Sequence, residues 1–190
     1  MAETLSGLEG VAEFDGKNPI VIEKDEIELT LPHRDTMLLL DRVTIDKETV
    51  AGEFEVTDAV CKGHAVAAGG KIVMRGSDLF DMAAQLLGVW AAQNPAITKH
   101  PAVKYGGCFV REYGGAKFRE AILPKYRLIM EAKIADLEAK ISEKMVIITG
   151  SDFTATVNDS VMAVIHSVKL VASVSTISEE SSGKPEQNSA

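Results

Sequence analysis

The chain has 190 residues, of which 46% are hydrophobic and 5% aromatic, and its net charge is −8. That length and hydrophobic share fit one globular domain. The negative charge and the scarcity of aromatic side chains argue against a nucleic-acid-binding protein. Two cysteines form neither a disulfide framework nor a metal-binding pattern, and no apolar run is long enough to cross a membrane. We therefore expect a cytoplasmic protein without a bound metal.

Composition divides the chain into three parts. Residues 1–17 are acidic with weak periodicity, which predicts a flexible arm. Residues 18–172 are predicted to form the folded domain. Residues 173–190 are too polar to bury a core, so we expect a disordered tail. Within the domain, residues 20–31 alternate apolar and charged side chains, which predicts an extended lead-in before a turn.

Strand patterns lie on both sides of one long apolar stretch. Two antiparallel strands are predicted at 37–45 and 50–56, and residues 58–73 form an Ala- and Gly-rich loop. β-branched and alternating patterns predict further strands at 102–112, 116–119, 126–139, 144–157 and 161–172.

The apolar stretch predicts a central helix. It begins at Gly76 or Ser77 and reaches about Gln93, where Asn94-Pro95 ends it. Apolar residues cover most of its circumference, which is typical of a buried helix. One such helix among many strands indicates an α+β domain whose antiparallel sheet wraps around the helix.

A histidine and a helical aspartate are the acid–base candidates. His64 follows Gly63 in the loop, and Asp81 lies on the apolar helix. A neutral imidazole can accept a proton, and a sheltered carboxyl group can return one. The N–H of Gly76 at the helix start is free to polarise a carbonyl oxygen. Asp78 is interpreted as compensating the helix dipole, and His33 as a structural residue of its turn.

Four motifs occur in order between residues 31 and 172. They are L-P-H-R-D-T-M-L-L-L-D-R-V (31–43), Gly63-His64, Met74-x-Gly76-x-x-x-x-Asp81-x-x-x-Gln85, and Lys117-Phe118-Arg119-Glu120 with Pro124 and Leu128. Together they resemble the motifs of the hotdog-fold 3-hydroxyacyl-[acyl-carrier-protein] dehydratases of bacterial fatty-acid synthesis. The chain departs from that pattern at Ala65-Val66, after the histidine, and at Arg75, before the helix.

The departure also lengthens the loop between the histidine and the acid, so Asp78 competes with Asp81 for the acid position. Asp81 is preferred because its separations from Gly76 and Gln85 match the family motif. A loop insertion costs little free energy, whereas shifting a buried helix by three residues would rotate its whole face.

The resemblance implies a hotdog fold and the reversible dehydration of a 3-hydroxyacyl thioester. It implies His64 as the base, Asp81 as the acid or water-orienting group, and the Gly76 N–H as donor to the thioester oxygen. Ser77 and Gln85 are implied as supporting residues. The candidates for an acyl tunnel are Leu79, Phe80 and Ala83. No cofactor is implied, because the substrate is carried on the phosphopantetheine of acyl carrier protein or coenzyme A.

An acyl carrier protein as partner and a homodimer, or a trimer of dimers, are also implied. Residues 99–127 carry an excess of basic side chains in an otherwise acidic protein. That excess is compatible with a solvated strand face and with docking of an acidic partner. The candidates for carrier docking are Lys117, Arg119 and Lys125.

Two alternatives remain open. In the first, the protein is an enzyme, but the acyl carrier is coenzyme A or the reaction is thioester hydrolysis. The other is a non-catalytic hotdog protein that binds an acyl chain or serves as an assembly subunit, which the altered loop 65–75 favours.

Overall fold

The computed structural model describes residues 3–5, 18–63, 70–99, 108–142 and 145–173. His64, the remainder of 64–69, most of the predicted arm and the predicted tail after Ser173 lie outside these ranges. Within them the strands are β1 (Glu3–Leu5), β2 (Ile20–Glu23), β3 (Arg42–Ile45), β4 (Thr49–Glu55), β5 (Cys108–Phe118), β6 (Arg127–Lys133), β7 (Leu137–Ile141), β8 (Met145–Val157) and β9 (Ser160–Ser173). The helices are α1 (Lys24–Thr30), α2 (Asp58–Cys61), α3 (Gly76–Gln93) and α4 (Pro95–Thr98).

The strands form one antiparallel sheet. β2, β3, β4 and β6 are successive neighbours, and β6 and β7 pair with different parts of the long strand β8. A 3-10 turn at Ile134–Asp136 separates β6 from β7, where the sequence had predicted one strand. β9 joins β8 to β5, which pairs with no other described strand.

The central helix α3 is buried against the sheet, as predicted. Its core-facing side chains are fully or almost fully buried: Leu79, Met82, Ala83, Leu86, Leu87 and Val89. Gly52 on β4 permits the close approach, because a Cβ there would lie 2.5 Å from the Leu40 side chain and 3.1 Å from that of Leu86. Burying each large apolar side chain contributes roughly 1.5–3 kcal/mol, so α3 organises the core.

The predicted end of α3 is also confirmed. Asn94 closes it, and the Asn94 side chain accepts a hydrogen bond of 3.0 Å from the N–H of Ala96. Pro95 then begins the short helix α4, at a position where its missing N–H costs no intrahelical bond.

Residues 24–30 differ from the prediction, because they form helix α1 instead of extended chain. A reciprocal capping box joins Glu23 and Glu26 and satisfies N–H groups at the helix start. This local pairing outweighs the alternating pattern that had suggested a strand. The Leu31 N–H donates to the Ile27 carbonyl at 2.8 Å, and the helix ends before Pro32.

The predicted arm is anchored to the sheet at one place. Glu3–Leu5 pairs antiparallel with β7, which satisfies backbone groups along that edge of the sheet.

Residues 108–118 form one strand, β5, where two had been predicted. A bulge between Val110 and Glu112 and a φ of +126° at Gly115 accommodate its irregular pairing with β9.

β8 and β9 form the longest hairpin of the sheet, and Asn158-Asp159 forms its turn. Both residues have positive φ, 47° and 63°. Asn and Asp tolerate this conformation better than most residues, and two-residue turns of this kind match strand twist. The turn therefore helps to set the register of the two strands.

None of the helices in the described ranges combines the length and the hydropathy that crossing a membrane requires.

Candidate active site

Asp81 lines a mostly apolar cleft of about 630 Å³ beside α3. The walls come from α1 and the turn that follows it, from α3, and from β5 and β9. Three small residues on α3, Ala84, Gly88 and Ala92, leave room on the Asp81 face of the helix. Because they follow Asp81 at helical spacing, one side of the cleft runs along the helix axis.

A tyrosine from the edge strand orients the Asp81 carboxyl group. The Tyr113 hydroxyl donates a hydrogen bond of 3.2 Å to Asp81 Oδ1. Burial, the charge of Asp81 and this hydrogen bond all raise the pKa of Tyr113. The phenol therefore stays protonated at neutral pH and remains a donor. The Tyr113 ring packs on Phe80, with ring centroids 4.8 Å apart.

His33 lines the same cleft as Asp81. Burial lowers the pKa of His33, the negative charge of Asp81 opposes that effect, and Arg34 adds to it. At neutral pH the imidazole is therefore mainly uncharged. The sequence had suggested a structural role for His33. The structure places this imidazole and the Asp81 carboxyl group on one cleft.

Asp78 has different surroundings. Its side chain is buried, and Oδ1 lies 2.9 Å from Nε of Arg75 in an ion pair at the start of α3. Its other oxygen has no hydrogen-bond partner among the described residues.

Nearby, burial raises the pKa of Cys61, and the charges of Asp78 and Asp58 raise it further, so the thiol stays protonated.

Gly76 is the first residue of α3, as predicted, and it lines a second cleft of about 380 Å³ with Phe118 and Arg119. A Cβ at Gly76 would lie 2.9 Å from the Phe118 ring, so this position requires a glycine unless the ring moves. Ser77, the predicted supporting residue, is exposed.

An aromatic row links the Gly76 cleft to the Asp81 cleft. Phe80 lies between Tyr113 and Phe118, with ring centroids 4.8 Å and 6.3 Å away. Phe80 had been a candidate for the acyl tunnel, and it is half-buried in this row. The predicted acid and the predicted oxyanion donor thus line neighbouring clefts with aromatic side chains between them.

Gln85 supports the site through the backbone. Its side chain is 2% exposed; Oε1 accepts a hydrogen bond of 2.8 Å from the Leu39 N–H, and Nε2 donates one of 2.7 Å to the Met37 carbonyl. Gln85 therefore fixes the segment before β3 on the same helical turn that carries Asp81.

The other tunnel candidates lie away from Asp81. Leu79 and Ala83 are buried on the opposite face of α3, because two residues in either direction correspond to about 200° of helical rotation. Helical spacing from Asp81 leads instead to Ala84, Gly88 and Ala92. Helical spacing from Asp81 in the sequence is the signal that could have revealed this face of small residues.

The carrier-docking candidates divide between two places. Lys117 and Arg119 are exposed near the Gly76 cleft, and Arg119 lines it. Lys125 lines a separate cleft of about 970 Å³ with Arg127, which pairs with Glu53. In the described ranges, no three His, Cys, Asp or Glu side chains are grouped so that they could hold a metal ion.

Comparison with known proteins shows the fold. The chain matches no protein-family model and no curated protein sequence. It is similar in structure to the dehydratase heterocomplex ApeI:P from Xenorhabdus doucetiae, with 16% identity and a TM-score of 0.53 over 78% of this chain and 91% of that one. It is also similar to a mutant thioesterase from Pseudomonas aeruginosa, with 14% identity and a TM-score of 0.51 over 80% of this chain and 96% of that one.

These similarities and the architecture establish the predicted α+β hotdog fold, an antiparallel sheet around one long helix. One protein of this fold is described as a dehydratase and the other as a thioesterase. Because one fold can host several reactions, the function must be argued from the site.

Proposed function

We propose that this protein is a hydro-lyase that interconverts a 3-hydroxyacyl thioester and its trans-2-enoyl thioester, with the acyl group carried on acyl carrier protein. The observation that carries the proposal is the Asp81 carboxyl group, held by Tyr113 at the wall of a mostly apolar cleft. An apolar cleft of this kind suits an acyl chain. The Asp81 carboxyl group is the proposed acid that protonates the departing hydroxyl of the substrate.

The reaction needs a base, an acid and a donor to the carbonyl oxygen. The base removes the proton from C2, the electron pair forms the C2–C3 double bond, and the C3–O bond breaks. Asp81 gives its proton to the departing hydroxyl, and water leaves. The base is an imidazole, for which the family resemblance implies His64, a residue outside the described ranges.

The Gly76 N–H is the proposed donor to the thioester oxygen, because negative charge develops there and a helix N-terminus favours it. Gly76 lies five residues before Asp81, which is about 7.5 Å along the helix axis and about 140° around it. A substrate that reaches both therefore has to pass around the helix as well as along it. The substrate would lie along the aromatic row between the two clefts.

Charge and edge geometry support the proposed partners. Lys117 and Arg119 near the Gly76 cleft offer positive charge to an acidic carrier. β5 has one edge without a described strand partner, and Phe109 and Val110 on it are 72% and 43% exposed. A second copy pairing along β5 would cover these side chains, so we propose a homodimer.

The test supplies purified protein with 3-hydroxyacyl and trans-2-enoyl thioesters on acyl carrier protein and on coenzyme A. Interconversion is followed by chromatography, and free thiol is measured in parallel. Asp81→Asn is the site variant, and Asp78→Asn is its matched control on the same helix.

The proposal expects interconversion on acyl carrier protein, no thiol release, and at least about a hundredfold loss in Asp81→Asn. Thiol release without interconversion would identify a thioesterase and refute it. Interconversion on coenzyme A alone would correct the carrier. Binding without any turnover would favour the acyl-binding alternative.

A further inference from the structure

His33 carries a buried polar atom that the fold does not satisfy. Its Nδ1 is shielded from solvent and has no hydrogen-bond partner among the described residues. Buried polar atoms in proteins are nearly always paired, so an unpaired one requires an explanation. His33 lines a cleft large enough for a small ligand, and because Nδ1 is shielded, a substrate group pairs with it only when the side chain turns towards that cleft.

The turn that carries His33 is held in place by its neighbour. Arg34 Nη1 donates to the carbonyl oxygens of Leu31 at 2.7 Å and His33 at 2.6 Å. A Cβ at Gly88 of α3 would lie 3.2 Å from the Leu31 side chain, so the turn also packs closely on the helix. The backbone that carries the imidazole is therefore held in place before any ligand arrives.

The charges around His33 are few. Among the described residues that line the cleft, the ionisable ones besides His33 are Asp81 on α3 and Arg34 in the same turn as His33. Burial lowers the pKa of His33, and Arg34 adds to that effect, so the resting imidazole can accept a proton. An ionised Asp81 acts in the opposite direction, so the carboxylate that remains after Asp81 has given up its proton stabilises the imidazolium.

We propose that His33 is an acid–base residue of the Asp81 cleft, where its imidazole takes the C2 proton that the family resemblance assigns to His64. This deepens the proposed function and rests on it, because it names the base of the same reaction. The reaction starts from a neutral imidazole and a protonated Asp81 carboxyl group: the C2–H bond breaks, an N–H bond forms on His33, and Asp81 protonates the departing hydroxyl. After water leaves, the imidazolium returns its proton to the Asp81 carboxylate, and both groups are reset.

The kinetic test compares His33→Gln with the matched variant His64→Gln, with kcat/KM measured across pH. We expect His33→Gln to lose at least about a hundredfold in kcat. The rise of kcat/KM with pH, which reports deprotonation of the base, should disappear. Added imidazole should restore activity to His33→Ala, which a residue with only a structural role would not allow. A wild-type rate and pH profile in His33→Gln, with loss in His64→Gln alone, would overturn the proposal.

A second measurement does not depend on catalysis. The His33 imidazole is titrated by NMR in the wild type, in Asp81→Asn and in Asp78→Asn, with His33→Gln to assign the signal. Asp81→Asn should shift the titration midpoint, since it removes the carboxyl group that shares a proton with the imidazole, and Asp78→Asn should leave it unchanged. If the wild type turns over no thioester, the proposed function fails, and an unchanged midpoint in Asp81→Asn would overturn the His33 proposal separately.

Discussion

Asp78 and Asp81 lie three residues apart on α3, yet the fold gives them different surroundings. Asp78 is buried and paired with the permanent charge of Arg75. Asp81 is half-buried, bonded to a neutral hydroxyl, and shares a cleft with a titratable imidazole. The guanidinium of Arg75 occupies one Asp78 oxygen, whereas Asp81 lies beside a hydroxyl and shares its cleft with an imidazole, a group type that takes part in proton transfer. The partner of a helical carboxyl group is therefore a better guide to its role than its burial.

The largest expected effect separates the two acids by activity. Asp81→Asn should lower kcat by at least about a hundredfold, because the amide cannot donate a carboxylic proton, and should change the free energy of unfolding little. Asp78→Asn should show the reverse: kcat within about threefold of wild type, and a loss of roughly 1–3 kcal/mol in urea denaturation because the buried Asp78 side chain loses its ion pair with the half-exposed Arg75. A catalytic loss in Asp78→Asn without destabilisation would reverse the assignment.

The next effect concerns the hydrogen bonds by which Gln85 on α3 holds the segment before β3. Gln85→Leu leaves the Leu39 N–H and the Met37 carbonyl without their partner. We expect a loss of about 2 kcal/mol in the free energy of unfolding, measured by urea denaturation. Gln93→Leu, at the half-buried end of the same helix, is the control and should change stability much less. Equal effects would show that the Gln85 hydrogen bonds contribute little.

A smaller effect is expected at the tyrosine that orients Asp81. Tyr113→Phe removes the hydroxyl and keeps the ring packing on Phe80. Losing one hydrogen bond of about 0.5–1.5 kcal/mol should lower kcat roughly three- to tenfold. Tyr126→Phe, outside the cleft, should leave kcat unchanged in the same assay. An unaltered rate in Tyr113→Phe would mean that Asp81 does not need this donor.

The smallest expected effect is a pH dependence of stability at His33. Because burial lowers its folded-state pKa below the ordinary value of 6.5, the unfolded chain binds more protons just below that pH. Stability should therefore fall as pH drops through 6.5 towards the folded value. The contribution should be on the order of a few tenths of a kcal/mol, since solvent screens a half-buried group. Urea denaturation at several pH values should show this pH dependence of the free energy of unfolding in the wild type and not in His33→Gln.

The sequence predicted the elements whose signals are local. The length of α3 followed from its apolar content and from Asn94-Pro95. α1 was missed because the alternation of Ile27, Leu29 and Leu31 resembles a strand, while the capping box that favours a helix lies just before it.

The shared cleft of His33 and Asp81 could not be recognised from the sequence, because it depends on packing between distant parts of the chain. The turn after α1 reaches the helix only through the contact of Leu31 with Gly88 and the hydrogen bonds of Gln85. None of these contacts has a signature within one stretch of sequence. The unpaired Nδ1 is likewise a property of the folded molecule alone.

The β8–β9 hairpin has a consequence for the order in which the chain folds. Its strands are joined by a two-residue turn, so their contacts are local in sequence and require little loop closure. β6 and β7 then pair on one side of the hairpin and β5 on the other. We expect the hairpin to form early and to act as the template for those strands, with Tyr113 reaching Asp81 only once β5 has docked. Pulse-labelled hydrogen exchange should then protect β8 and β9 before β5.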